Sequence, residues 1–166
     1  MKFYNKIITF LLLLCITACS ALFVGCNNDN KIEEVDYVSQ LTFNQSSETK
    51  KQKVNVYNYI DGDTTHFRLS EPIDDTTILK ARYLAINTPE STGKIEEYGK
   101  TASDFTHTKL ARAKEIYIES NDSNWNKDST GARYLVWVWY NTEDDSTFRN
   151  LNLEILQNGL AVASSI

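Results

Sequence analysis

The sequence predicts a mainly β member of the α+β class: five strands curled into a small antiparallel barrel, with helices packed against it. Three observations predict this. Five runs rich in β-branched and aromatic residues lie between residues 54 and 140. A helical period interrupts them once, from about residue 98, and a short second one follows the last run. At 166 residues the chain can build one sizeable core but not two.

The elements can be justified in order. Residues 54–60 alternate apolar and polar, as a half-buried strand should. Asp61-Gly62-Asp63 turns the chain into a second strand over residues 64–69. A polar turn is expected over residues 70–76, marked by Pro72 and the Asp74-Asp75 pair, before a third strand over residues 77–86. Pro89 ends that strand. Tyr98, Ala102, Phe105, Lys109, Leu110 and Ala113 then fall on one helical face. Residues 116–119 read as a short strand and residues 121–130 as a polar loop around Trp125. The most β-prone run covers residues 134–140 and holds Trp137 and Trp139, expected in the core or on the barrel surface. Residues 151–157 form a short amphipathic helix, stopped by Asn158-Gly159. Three strands, a helix, two strands and a helix match an OB-type Greek-key barrel.

Charge and cysteine usage narrow the chemistry. All three cysteines lie within the first 26 residues, so the body can form no internal disulfide. Two histidines, His66 and His107, are too few for a His-based zinc site. The net charge is -5, and more negative once Lys2 and Lys6 are set aside. An acidic body does not bind nucleic acid by diffuse attraction, so any grip on phosphate must be local. The hairpin from Asp61 to Glu90 supplies such a place. Pairing of its strands brings Asp63 beside Asn87 and Glu90, with Arg82 nearby. Two carboxylates, an amide oxygen and a guanidinium suit a hard cation and a phosphate.

These residues resemble the staphylococcal nuclease family. The resemblance spans about residues 54–163. It rests on Tyr59-Ile60-Asp61-Gly62-Asp63-Thr64, Arg82 with Thr88-Pro89-Glu90, and Tyr98-Gly99 with Ala102-Ser103 and Phe105-Thr106. Asp128 with Arg133, and Asn158-Gly159-Leu160-Ala161, complete it. The resemblance implies that Asp63 binds calcium, that Asn87 stands where a second ligand aspartate is usual, and that Thr88 adds a backbone carbonyl. It implies that Glu90 positions or activates the attacking water, and that Arg82 and Arg133 hold the phosphodiester. Asp61 would stand behind the metal ligands.

The chain departs from the family pattern in three places. Asn87 brings an amide in place of a carboxylate, so weaker calcium binding is expected. The segment Asp128-Ser129-Thr130-Gly131-Ala132-Arg133 carries one inserted residue and lacks the lysine and tyrosine that help hold a terminal phosphate. A second base-stacking tyrosine would fall near Ser165 and is absent. Members of the family continue into another helix where this chain reaches Ile166, so a C-terminally truncated domain over residues 54–166 is expected. Trp125 is an additional candidate for stacking on a base.

The N-terminus reads as an address. Lys2 and Lys6 precede an uncharged, largely apolar run over residues 7–24, as in a secretory signal. Its end, Leu22-Phe23-Val24-Gly25-Cys26, resembles a bacterial lipobox, which makes Cys26 the acylated residue. Cys19 is the alternative, though cleavage there would leave residues 21–24 as an apolar end; an uncleaved anchor is also open. The expected organisation is a signal over residues 1–26, a polar tether over residues 27–53 and the barrel. The expected activity is a calcium-dependent endonuclease that cuts DNA, with RNA in second place. It would be a monomer, lipid-anchored on the outer face of a bacterial membrane or secreted. The competing expectation is an inactive barrel that binds nucleic acid or protein.

Overall fold

The computed structural model describes residues 35–165. The signal segment with Cys19 and Cys26, the start of the tether and Ile166 lie outside the described residues. Strands β1 (Lys51–Tyr59), β2 (Thr64–Ile73) and β3 (Thr76–Tyr83) form an antiparallel meander. A two-residue strand β4 (Ile86–Asn87) and helix α1 (Gly99–Ala111) follow. Strand β5 (Glu115–Glu119) returns beside β1, and β6 (Tyr134–Asn141) pairs antiparallel with β5. The same β6 pairs in parallel with β3, setting Arg82 opposite Leu135, and this seam closes a five-stranded barrel. Strand β7 (Arg149–Asn150) edges β6 and leads into helix α2 (Leu151–Gln157); β8 (Val162–Ala163) pairs with β4.

The core follows the strand period. Tyr134, Val136, Val138 and Tyr140 of β6 point inward with Phe67, Leu79 and Ile118. Leu135, Trp137 and Trp139 therefore belong to the outer face. Helix α1 is seated by Gly99, Ala102, Thr106 and Leu110, one step round from the predicted face. Tyr98 precedes the helix in a left-handed conformation and is exposed, so it anchors nothing. Asn152 of α2 is fully buried and bridges three backbone groups. Its Nδ2 donates to the carbonyls of Leu84 and Val136, each at 3.0 Å, and its Oδ1 accepts from Val138 N–H at 3.0 Å.

Several expectations need correction. The second strand runs through Pro72 to Ile73, because a register irregularity between Arg68 and Ile73 spares the missing N–H. The turn shrinks to Asp74 and Asp75, whose positive φ of 46° and 61° suits a tight hairpin. The third strand ends at Tyr83 rather than residue 86, because Ala85 adopts φ 64° and sends Ile86 to a different partner. The described part of the tether is docked. Val38 is buried, Gln157 Oε1 accepts from Tyr37 N–H at 2.9 Å, and Phe43 packs on Tyr117, Trp139 and Phe148 with ring centroids 5.0–5.3 Å from its own. Strand β1 begins at Lys51, three residues early.

Candidate active site

The site begins at the turn between β1 and β2. The backbone N–H groups of Ile60 and Asp61 donate to the Thr64 carbonyl, both at 3.2 Å, and Asp63 N–H donates to Asp61 Oδ1 at 3.2 Å. Gly62 has no room for a side chain: a Cβ there would lie 2.8 Å from Thr88 Oγ1 and 2.9 Å from Ala102 Cβ. Thr106 Oγ1 of α1 donates to the Gly62 carbonyl at 2.6 Å. The helix thus clamps the turn against Thr88, and both aspartates are buried. A Cβ at Gly99 would collide with the Glu90 carbonyl, so the start of α1 also fixes the main chain at Glu90. The motif residues Gly99, Ala102 and Thr106 owe their identities to this packing.

Asp63 is the hub. Its Oδ2 accepts from Thr88 N–H at 2.8 Å and pairs with Arg82 Nη1, while its Oδ1 accepts from the Thr64 hydroxyl at 3.1 Å. Arg82 Nη2 donates to Asn87 Oδ1 at 2.6 Å. The guanidinium therefore sits between a carboxylate and an amide and is only 8% exposed. Its Nη1 is in direct ion-pair contact with Asp63 Oδ2. Burial, and after it the charge of Arg133, push the Arg82 pKa down; Asp61, Glu90 and Asp128 oppose them. Burial pushes the Asp61 carboxyl up, against the pull of Arg82.

Arg133 arrives from the loop before β6. Its Nε donates to Asp128 Oδ2 at 2.7 Å, and Asp128 N–H donates to the Arg133 carbonyl at 2.9 Å. Gly131, at φ 71°, donates to the Asp128 carbonyl at 2.9 Å. This small closed turn absorbs the inserted residue. Burial works against the Asp128 carboxylate, yet hydrogen bonds from Thr130 and Arg133 hold its pKa down to about 2. Two arginines, two buried aspartates and the exposed Glu90 thus share one electrostatic neighbourhood.

Residues 80–166 match the family model described as staphylococcal nuclease homologue, just over half of the chain. The chain belongs to this family. The match includes Arg82, Asn87, Thr88, Glu90 and Arg133 and begins after Asp61 and Asp63. None of the curated proteins matches the chain. A nuclease homologue is a nuclease-like protein with a nucleic acid as its expected partner.

For this nuclease homologue the family implies calcium. Among the described residues no group of three or more His, Cys, Asp or Glu side chains is arranged to hold a metal. The oxygen donors are nonetheless hard ones, and Asp63 and Asn87 converge on one cation, the guanidinium of Arg82. In kind, the donors fit calcium once Arg82 turns to another anion. Glu90 differs from the rest, since its side chain stands exposed on the rim while its backbone is tied to Glu96. Trp125 does not stand free for stacking, because it packs against the core. The sequence reading missed Asn152, whose amide looks like any polar residue of an amphipathic helix until its partners are seen.

Proposed function

We propose that this protein is a calcium-dependent phosphodiesterase that cuts DNA within the strand, with RNA in second place. The observation that carries the reading is that the charges of Arg82 and Arg133 both act on Asp61 and on one another, with Glu90 close enough to act on the Arg82 charge. Two like charges gather in a buried site at a cost, and an anionic phosphate between them offsets it. Asp63, the Asn87 amide oxygen and the Thr88 carbonyl would hold calcium, which when bound supplies positive charge to a non-bridging phosphate oxygen. Arg82 and Arg133 grip the remaining oxygens and stabilise the extra negative charge that develops as water adds. Glu90 accepts a proton from the attacking water; the new P–O bond forms as the bond to the leaving sugar oxygen breaks, and that oxygen takes a proton from solvent. Asp61 keeps the arginines oriented by its charge.

The cellular part of the reading rests on sequence. Lys2, Lys6 and the apolar run over residues 7–24 support export, and Cys26, with Cys19 as alternative, supports a lipid anchor. Among the described residues no helix is long and apolar enough to cross a membrane.

The test is degradation of single-stranded DNA with calcium and with chelator, alongside Glu90→Gln and Arg82→Ala. Wild type should cut only with calcium, and each substitution should slow it by ~10²–10⁴-fold. Equal rates in all samples would sink the proposal. A second reading, an inactive nucleic-acid-binding barrel, draws on the guanidinium lodged between Asp63 and Asn87. Calcium-dependent cleavage by wild type excludes it.

A further inference from the structure

Arg133 does not stand alone on its side of the barrel. It immediately precedes β6, in phase with Leu135, Trp137 and Trp139, the residues on that strand's outer face. Arg82 pairs with Leu135 across the seam and belongs to the same surface. Beyond Leu135 this surface opens into a cleft of about 390 Å³, within the size range of small-ligand sites. Its walls include Leu41, Asn44, Glu119, Asn121, Trp137 and Trp139. Four residues of strand separate Arg133 from Trp137, about 13 Å. The loop after β5 borders this path, with the Asn126 carbonyl accepting from Leu135 N–H at 2.9 Å and Asn121 reaching the cleft.

The chemistry of the cleft selects its occupant. Its carboxylate, Glu119, is already satisfied: Oε1 accepts from Thr49 Oγ1 at 2.5 Å and Oε2 from Trp139 Nε1 at 2.7 Å. Lys51, the cation beside it, is buried and paired with the same carboxylate at 3.3 Å. No free charge is therefore offered to a phosphate or an amine. What remains is a half-buried indole, Trp137, in a cleft also lined by Asn44 and Asn121. Their Oδ1 atoms accept from Ser46 N–H and Asn126 Nδ2 and keep a lone pair each, while their amide N–H groups can donate. A flat, uncharged heterocycle with mixed donors and acceptors on its edge fits that set. We propose that the Trp137 cleft is a base-binding subsite for single-stranded nucleic acid, a few nucleotides along the strand from the phosphate held by Arg82 and Arg133. The docked segment around Phe43 builds the far wall, so the residues before β1 take part in substrate binding. The inference rests on the nuclease reading, since it needs the phosphate at the arginines.

The experiment compares the full chain with Trp137→Ala and Trp137→Phe. Substrates are a single strand of about 12 nucleotides, within the ~4–16 that an OB barrel covers, and a dinucleotide too short to reach the cleft. The wild-type preference for the long strand, read as the ratio of KM values, should fall about tenfold in Trp137→Ala and largely return in Trp137→Phe. An unchanged ratio overturns the subsite while leaving the nuclease reading intact. If wild type cuts neither substrate, the nuclease reading fails and the subsite is judged by binding. Fluorescence anisotropy of the labelled long strand should then show about tenfold weaker affinity in Trp137→Ala, and equal affinities overturn the subsite. Quenching of tryptophan fluorescence by a chito-oligosaccharide but not by the nucleic acid also overturns it, assigning the cleft to a sugar.

Discussion

Two ion pairs with similarly hidden side chains stand on the same barrel, and they differ in what surrounds them. Lys51 and Glu119 have side chains 9% and 12% exposed; Arg82 and Asp63 are similarly hidden at 10% and 6%. Around the first pair every group has a partner. Glu119 receives Thr49, Lys51 and the Trp139 indole, and the Lys51 ammonium also reaches the hydroxyls of Ser47 and Thr49. Around the second pair the Arg82 guanidinium touches Asp63 and Asn87, and the charge of a second cation, Arg133, acts on it as well. Burial and charge are comparable, so neither separates a structural pair from a functional one. The second cation does. The first pair joins one cation to one carboxylate, whereas at the second two cations act on one neighbourhood, an arrangement that favours an anion.

The comparison can be broken by removing the cation from each pair. Lys51→Met leaves Glu119 buried without its cation, and should lower stability by about 3–5 kcal/mol, read by denaturant unfolding. Arg82→Met relieves the crowding with Arg133 as it bares Asp63, and should cost clearly less stability than Lys51→Met while removing most activity. Equal losses from both would erase the distinction. A smaller effect sharpens it from the side of the scaffold. Asn152→Ala leaves the Val138 N–H and the Leu84 carbonyl without partners, and should cost about 2–4 kcal/mol in the same assay. Because Leu84 leads into Asn87, activity should also fall below the melting temperature.

The smallest expected effect concerns pH. The folded-state pKa of Asp128 is depressed from 3.8 to about 2, so its contribution is fully present above the ordinary value and is lost as pH falls through that window. Thermal melts of wild type should therefore lose stability between those pH values. Asp128→Asn should flatten that part of the profile, and an unchanged slope would remove Asp128 from the account.

Much of this was legible in the sequence, for definite reasons. The strand and helix periods are local, so the order of elements and the barrel could be read from Val54 onward. The turn at Asp61-Gly62-Asp63 and the residues Arg82 and Glu90 are close enough in sequence for a hairpin to join them. The end of β3 was not legible, because the partner that draws Ile86 away lies at Ala163. The docking of Phe43 was hidden for the same reason: a lone aromatic in a polar stretch shows its role only beside Tyr117, Trp139 and Phe148. Trp137 read simply as strand because its run is β-prone throughout. Only the partition of that run between core and outer face turns it toward the cleft.

The seam between β3 and β6 has a consequence in time. It is the one parallel pairing in the barrel, and it joins strands far apart in the chain. Such long-range pairings are slow to form, because a large loop must close before any contact rewards it. The hairpin that carries Asp63 and Arg82 can assemble early from neighbours in sequence, but Arg133 reaches Arg82 only when the barrel shuts. On the proposed reading, the pairing expected to form slowly is thus also the one that completes the phosphate site, so a chain with an open barrel should not yet cut nucleic acid.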